Sequence, residues 1–202
     1  MTELMFNTRY TGYPMWLAMT ALHRKGHPLQ YLRAFVTSLL GNFVGVIFWA
    51  SVQTVWTKSV TEEPFRSGII EHLDSRITDE DWHVIFLRAI GCGFLVTIAM
   101  MLGSQNKDGV SKAIGLYLPF LVSTTAGFPH TVEYMYLACT GMMLGAKLTI
   151  GMFLWKCMLP IILGNAVGGA IVGAYNYWVF IRRADDEHKG GNSHWLPADE
   201  DS

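Results

Sequence analysis

Four stretches of this sequence are long and apolar enough to cross a membrane as helices. A bilayer core about 30 Å thick needs about twenty predominantly apolar residues in a helix. The stretches are 35–56, 84–103, 113–145 and 148–181, and each carries at most one charged residue. The chain is 51% hydrophobic and only 15% charged, which is too apolar for an ordinary soluble domain. The sequence predicts an all-α membrane protein with a single transmembrane domain over 1–181.

The charged residues between these stretches indicate an orientation. Lys and Arg are found in the connections 23–33 and 104–112 and at the start of the polar tail 182–202. The opposite connection, 57–83, holds seven acidic residues beside three basic ones. Since basic residues are retained on the cytoplasmic side, we expect the C-terminal tail in the cytoplasm, with the protein in the plasma membrane.

Several classes of function find no support in the composition. The formal net charge of −1 argues against a nucleic-acid partner. Cys92, Cys139 and Cys157 all lie in apolar stretches without metal-ligand spacing, so we expect buried thiols. No nucleophile–base pair or cofactor-binding loop stands out, so we expect neither an enzyme nor a cofactor. His130 and Glu133 lie one helical turn apart, but no further ligands accompany them and we expect no metal.

The stretch 113–145 is too long for one straight crossing and is interrupted by Gly127, Phe128 and Pro129. Glycine permits unusual backbone dihedrals, and proline suits the first turn of a new helix. The pattern predicts a helix broken near 127–129. Broken backbone at membrane depth is tolerated only where it is buried or lines a wet cavity.

The same pattern occurs twice in the chain. "TGYPM" (11–15) matches "AGFPH" (126–130), and "LGNFVG" (40–45) matches "LGNAVGG" (163–169), in the same order. The earlier break lies in a short apolar piece, 10–22, about half as long as a crossing requires. Interrupted apolar segments at matching points of two halves are typical of transporters built from repeats.

His130 follows the second break directly and would lie in the first turn of the new helix. The free N–H groups and positive dipole end of such a helix favour an anion. Two interpretations stay open: the imidazole donates a hydrogen bond or a proton to a guest in the cavity, or it packs between helices and bonds a carbonyl group. Two interpretations also stay open for Asn42 and Asn165. Each side chain either hydrogen-bonds the broken backbone of a neighbouring half-helix or joins two helices without contacting the cavity.

"SKAIGLYLPF", "TTAGFPHTVEYMY" and "LPIILGNAVGG" together resemble the second half of the formate/nitrite transporter family, and "TGYPMWL" with "LLGNFVGVIFWA" resembles part of its first half. The resemblance runs over about 3–181. It implies an aquaporin-like bundle of two inverted repeats with broken helices, assembled as a homopentamer in the lipid bilayer. It also implies passage of small monovalent anions or their weak acids, such as formate or nitrite, and leaves open whether this passage is coupled to protons.

The resemblance also assigns roles to individual residues. It implies that His130 is the central pore histidine, that Lys112 attracts anions at the start of the fifth helix, and that Thr11 lies in the loop breaking the second helix. The predicted pore residues are His130, Thr11, Lys112, Phe128 and Tyr13. The predicted structural positions around the pore are Asn42, Asn165, Gly127, Pro129, Gly12 and Pro14.

The sequence departs from the family pattern around the histidine. Pro129 stands where the family has an acidic residue, and Glu133 and Tyr134 stand where it has a small residue and an asparagine. Glu133 either caps the new helix or faces the cavity, where its charge would repel an anion. These departures leave the choice of anion and the gating open.

The resemblance also implies a first helix, and half of the second, before Thr11. We expect the first helix to be missing and the chain to be a fragment of a longer protein. The function we predict is a membrane channel or transporter for small monovalent anions. The alternative is a truncated, non-conducting membrane subunit or scaffold of a related transporter.

Overall fold

The computed structural model describes residues 28–182, and this part of the chain contains helices and turns but no β-strand. Its α-helices are α1 (Pro28–Phe48), α2 (Phe65–Leu73), α3 (Trp82–Gln105), α4 (Gly109–Thr125), α5 (Thr131–Leu144), α6 (Ile150–Met152) and α7 (Leu159–Asn176). Wider π-helical turns continue α1 over Trp49–Trp56, join α6 to α7 over Phe153–Met158, and extend α7 over Tyr177–Arg182.

Three continuous helical runs in the described residues have the length and composition of membrane spans: Leu32–Trp56, Trp82–Gln105 and Ile150–Val179. The remaining apolar stretch, 113–145, is divided instead. Its two pieces, α4 with 17 residues and α5 with 14, are roughly 26 and 21 Å long at the usual rise of an α-helix. Neither piece makes a full crossing alone.

In the described residues, α3 packs closely along the helical run Ile150–Val179, which contains α7. Small residues of the two helices face each other, so the backbones approach closely. A Cβ added to Gly164 would lie 2.5 Å from the Phe86 carbonyl oxygen, and one added to Gly93 would lie 2.6 Å from the Asn165 Cα. Such small-residue contacts are the usual means of close helix packing in membranes.

A short helix in the connection 57–83 was not predicted from the sequence. It comprises α2 and the π-helical turn Asp74–Thr78. Ile69, Leu73 and Ile77 recur every fourth residue, the spacing of one helix face. Leu73 and Ile77 are fully buried in a cluster with residues of α5, and Ile69 packs against that cluster. The charged connection is therefore folded back onto α5 by its own apolar stripe.

α1 is less enclosed than the other long helices. Only 6% of its most apolar window is buried, and Leu32, Val36, Leu40 and Val44 are largely exposed. A Cβ at Gly41 or Gly45 would meet no atom within 4 Å. These two glycines therefore differ from Gly164 and Gly168, which pack against α3.

Candidate functional site

The backbone leaves the helical conformation between α4 and α5, over residues 126–130. α4 ends at Thr125 and α5 begins at Thr131. The backbone of Gly127 has φ +67°, a left-handed conformation that residues other than glycine rarely adopt. The Phe128 N–H donates to the Ser123 carbonyl oxygen at 3.0 Å and closes the end of α4.

The break lies near the middle of the neighbouring spans. The Phe128 ring packs on Gly91, its Cε2 being 2.8 Å from the position of a Cβ there. Asn165 reaches the other side of the break. Gly91 lies near the middle of Trp82–Gln105, and Asn165 near the middle of Ile150–Val179. The interrupted backbone therefore lies about halfway along the crossing.

Asn165 holds the break against α7. Its Nδ2 donates to the Pro129 carbonyl oxygen at 3.0 Å and to the Ile161 carbonyl oxygen at 2.8 Å. Pro129 and Asn165 are both buried. A buried carbonyl needs a donor, and here the neighbouring helix supplies it.

His130 is the residue immediately before the first turn of α5. Its backbone is extended, with φ −97° and ψ 139°, and its side chain makes no capping hydrogen bond. The first N–H groups of a helix lack partners within the helix and give that end a partial positive charge. The next residue, Thr131, is fully buried, and its hydroxyl finds no hydrogen-bond partner within residues 28–182. Within the described residues, the start of α5 therefore carries N–H groups without helical partners and an unpaired Thr131 hydroxyl, directly after the half-buried His130 in the sequence.

Lys112 lies in the first turn of α4, at the end remote from the break. Thr125 lies thirteen positions further along α4, which is roughly 20 Å along a helix. The Asp108 carboxylate accepts the Ser111 N–H at 2.7 Å and caps this end of α4. This hydrogen bond lowers the pKa of Asp108. Lys112 is thus a half-buried cation at the mouth of the crossing.

The structure does not bring the other predicted residues to the break. Asn42 donates to the Ser38 carbonyl oxygen in its own helix at 2.8 Å. It lines an open groove of about 390 Å³ with Gly41, Gly45 and Tyr136. Glu133 lies in the first turn of α5 with its side chain exposed. Thr11, Gly12, Tyr13 and Pro14, with the rest of the half-helix 10–22, lie outside the described residues.

Two arginines at the break were not predicted as site residues. Arg76, in the π-helical turn of the connection, places its Nη2 3.0 Å from the position of a Cβ on Gly127. Arg88 of α3 reaches back to Glu80, with Nη1 2.7 Å from Oε1. Arg76 could not be predicted from the sequence because nothing local links residue 76 to residue 127. The apolar residues Leu73 and Ile77, which flank Arg76 at helical spacing, could have predicted that this part of the connection packs against the membrane helices.

No group of three His, Cys, Asp or Glu side chains in residues 28–182 is arranged to hold a metal ion. The three cysteines are buried and free. The break presents the imidazole of His130, the first N–H groups of α5 and the guanidinium group of Arg76.

Comparison with known proteins agrees with this fold. A "probable formate transporter" of Methanothermobacter thermautotrophicus is 30% identical over 182 residues, covering 84% of this chain and 66% of the relative. An "FNT family ion channel" superposes with a TM-score of 0.71 at 21% identity, covering 83% of this chain and 67% of the other. A "pentameric formate channel with formate bound" superposes with a TM-score of 0.67 at 20% identity, covering 76% and 67%.

These likenesses confirm the predicted all-α, aquaporin-like membrane fold with a broken helix. The chain spans just under two thirds of the length of the relative named above. The sequence profile described as "Formate/nitrite transporter" matches residues 8–179. With the membrane spans and the divided crossing, this match shows that the chain is an integral membrane protein belonging to the formate/nitrite transporter family.

Proposed function

We propose that this chain forms a passage for small monovalent anions or their weak acids, of which formate and nitrite are the natural candidates. The observation that carries the proposal is the break at mid-crossing, where His130 precedes the unsatisfied N-terminal turn of α5. The names of the relatives, transporters and channels for formate, support the class of substrate.

The proposed mechanism follows from the cost of moving charge. A bare anion in an apolar passage loses its hydration at a large free-energy cost, whereas the neutral acid crosses far more readily. Lys112 attracts the anion at one mouth. At the break, His130 donates a hydrogen bond or a proton to it, while Phe128 narrows the passage. Gly127 and Pro129 create the break, and Asn165 holds it in place.

The proposal extends to residues of the first half. By the internal repeat, Thr11 and Tyr13 line the passage opposite the His130 side, and Gly12, Pro14 and Asn42 are their structural support. Asn42 lies on the open groove of α1, so its polar side chain is available to a segment packed there.

We further propose that the protein works as a homo-oligomer, a pentamer, in the plasma membrane, with its C-terminus in the cytoplasm. The exposed apolar face of α1 suits lipid or a neighbouring protomer. The pentameric state named for one solved relative supports this number, and the basic connections support the orientation.

Uptake by proteoliposomes tests the function. We expect the purified full chain to admit formate or nitrite faster as the external pH falls, because the neutral acid becomes more abundant. The variant His130→Phe, which keeps a ring but loses both nitrogens, is expected to abolish the pH-dependent uptake while the oligomer persists on size-exclusion chromatography. Unchanged uptake by this variant would remove His130 from the mechanism.

One observation favours a second candidate, a non-conducting membrane subunit or scaffold of a related transporter. α1 is barely covered by the described chain, as expected of a helix that packs against another polypeptide. In that case the chain alone gives no flux and co-purifies with a full-length homologue expressed in the same cells.

A further inference from the structure

Tyr134 of α5 is the only aromatic residue among the described residues that line a small cavity at the break. The cavity has a volume of about 10 Å³ and is lined by Arg76, Ile85, Arg88, Gly127, Pro129 and Tyr134. This volume holds about one water molecule, which is less than a formate or nitrite ion occupies. The phenol ring therefore fills space directly beside the broken backbone.

Tyr134 lies one helical turn after His130. Its backbone N–H donates to the His130 carbonyl oxygen at 2.9 Å, in the first turn of α5. One turn rises about 5.4 Å along the helix axis. A solute that approaches the break from the C-terminal end of α5 therefore reaches the level of the Tyr134 ring just before it reaches His130.

The position of the Tyr134 ring is fixed by its surroundings. Its hydroxyl group lies 3.2 Å from the Nε2 atom of His72 in α2, which gives the buried hydroxyl a partner. The side chain is only 4% exposed and packs in one buried cluster with Leu73 and Ile77. Because a packed interior leaves little room for another rotamer, the ring is a wall that does not swing aside.

Tyr136, two positions further along α5, has a different environment. Its hydroxyl group lies 2.9 Å from the Oγ1 atom of Thr54, and the side chain is half-buried. It borders the open groove of about 390 Å³ on α1 rather than the cavity at the break. Two hydrogen-bonded tyrosines of one helix thus differ in whether their rings close space beside the broken backbone.

We propose that Tyr134 limits the size of the solute at the break, so that the passage favours formate or nitrite over carboxylates that carry an alkyl group. The inference rests on the proposed function and adds a specificity-determining residue to it. A fixed wall discriminates against an additional methyl group because neither the wall nor the solute yields without strain. Such discrimination is typically about tenfold or more for one carbon.

Uptake of formate and of acetate by proteoliposomes containing the full chain tests the inference. The two anions differ by one methyl group. After subtraction of the uptake by protein-free liposomes, we expect the wild type to admit formate about tenfold or more faster than acetate. Tyr134→Asn, which removes the ring, is expected to lower this ratio several-fold because acetate becomes faster. All variants are compared at one pH, so the different abundance of the two neutral acids cancels between them.

Tyr136→Asn is the matched control. It removes a hydrogen-bonded tyrosine from the same helix but opens no space at the break, so the formate-to-acetate ratio is expected to stay that of the wild type. Tyr134→Phe keeps the ring and loses only the hydrogen bond to His72, so its ratio is expected to stay closer to the wild type than to Tyr134→Asn. If Tyr134→Asn does not melt cooperatively, Tyr134→Leu, a smaller residue and a good helix former, takes its place with the same expectation.

The outcomes separate this inference from the proposed function. If the wild type admits formate but the ratio is unchanged in the smaller variant, or falls equally in Tyr136→Asn, the size limit is overturned and the transport function stands. If only the smaller variant gives flux, Tyr134 restricts the passage and the function proposed for the wild type fails. No flux of either anion through the wild type or the folded smaller variant would refute both.

Discussion

Asn165 of α7 donates a hydrogen bond to the Pro129 carbonyl oxygen, 3.0 Å away, across the break between α4 and α5. The other hydrogen of the same amide group goes to the Ile161 carbonyl oxygen. A helix interrupted at mid-membrane exposes backbone groups that lipid cannot satisfy. Here a side chain from the adjacent span satisfies one of them, so the geometry of the break depends on the position of α7.

Replacing Asn165 by leucine is expected to destabilise the protein. The change leaves the buried Pro129 carbonyl group without its donor, which costs about 1–3 kcal/mol. Thermal unfolding in detergent, followed by circular dichroism or tryptophan fluorescence, measures the loss as a lower melting temperature.

Asn176→Leu is the matched control for this variant. Asn176 is also buried, lies in the same helix, and donates its Nδ2 only to the Val172 carbonyl oxygen of its own helix. Its loss leaves no broken backbone unsatisfied, so the melting temperature should fall less. An equal fall in melting temperature in both variants would show that the hydrogen bond to Pro129 adds nothing to stability beyond a bond within the helix.

The close contact between α3 and α7 gives a second prediction. A Cβ on Gly93 would press against the backbone oxygen of Asn165 and lie 2.6 Å from its Cα. Both partners are backbone, which cannot rotate away. We expect Gly93→Ala to separate the two helices and to cost at least the 1–3 kcal/mol typical of overpacking, measured by thermal unfolding.

Gly41→Ala is the corresponding control in α1. A Cβ there meets no atom within 4 Å, and alanine is the better helix former by about 0.5–1 kcal/mol. Stability is expected to stay the same or to rise slightly. A loss in Gly41→Ala comparable to that in Gly93→Ala would contradict the difference in packing.

The sequence alone predicts the all-α membrane fold and the break, because both depend on local chemistry. About twenty apolar residues specify a span, and Gly127 with Pro129 interrupts one. The burial of the free cysteines follows from the same local composition. These features need no knowledge of which helices meet.

Contacts between distant residues could not be predicted in this way. Asn42 and Asn165 lie in matching motifs, yet within residues 28–182 only Asn165 reaches a broken backbone. The approach of Arg76 to Gly127 depends on α2 folding back onto α5. That folding is driven by Ile69, Leu73 and Ile77, which stand among charged residues that conceal their helical spacing.

The Asp108 cap of α4 predicts that the stability of the fold depends on pH. Hydrogen bonds from Ser111 lower the pKa of Asp108 below its ordinary value. A carboxylate with a lowered pKa stabilises the fold fully above its unfolded pKa of about 3.9, and this contribution is lost as the pH falls through the folded value. The variant Asp108→Asn keeps a capping oxygen but cannot titrate.

We therefore expect the melting temperature of the wild type to exceed that of Asp108→Asn at neutral pH and to converge with it in acid. Thermal unfolding from pH 7 to pH 3 measures the difference. A gap between the two proteins that stays constant over this range would show that the charge of Asp108 does not act on stability.

Gly127→Ala tests the conformation of the break and the approach of Arg76 together. With φ +67° an alanine is strained by about 1–3 kcal/mol, and its Cβ would lie 3.0 Å from the Arg76 Nη2. Gly145→Ala is the control, because Gly145 has φ +95° but its Cβ position is 3.9 Å from the nearest guanidinium, that of Arg66. Both variants should melt earlier than the wild type. Only Gly127→Ala should also slow formate uptake by proteoliposomes, because Gly127 lies in the break beside His130. Equal uptake by the two variants would show that the conformation of the break does not affect the passage.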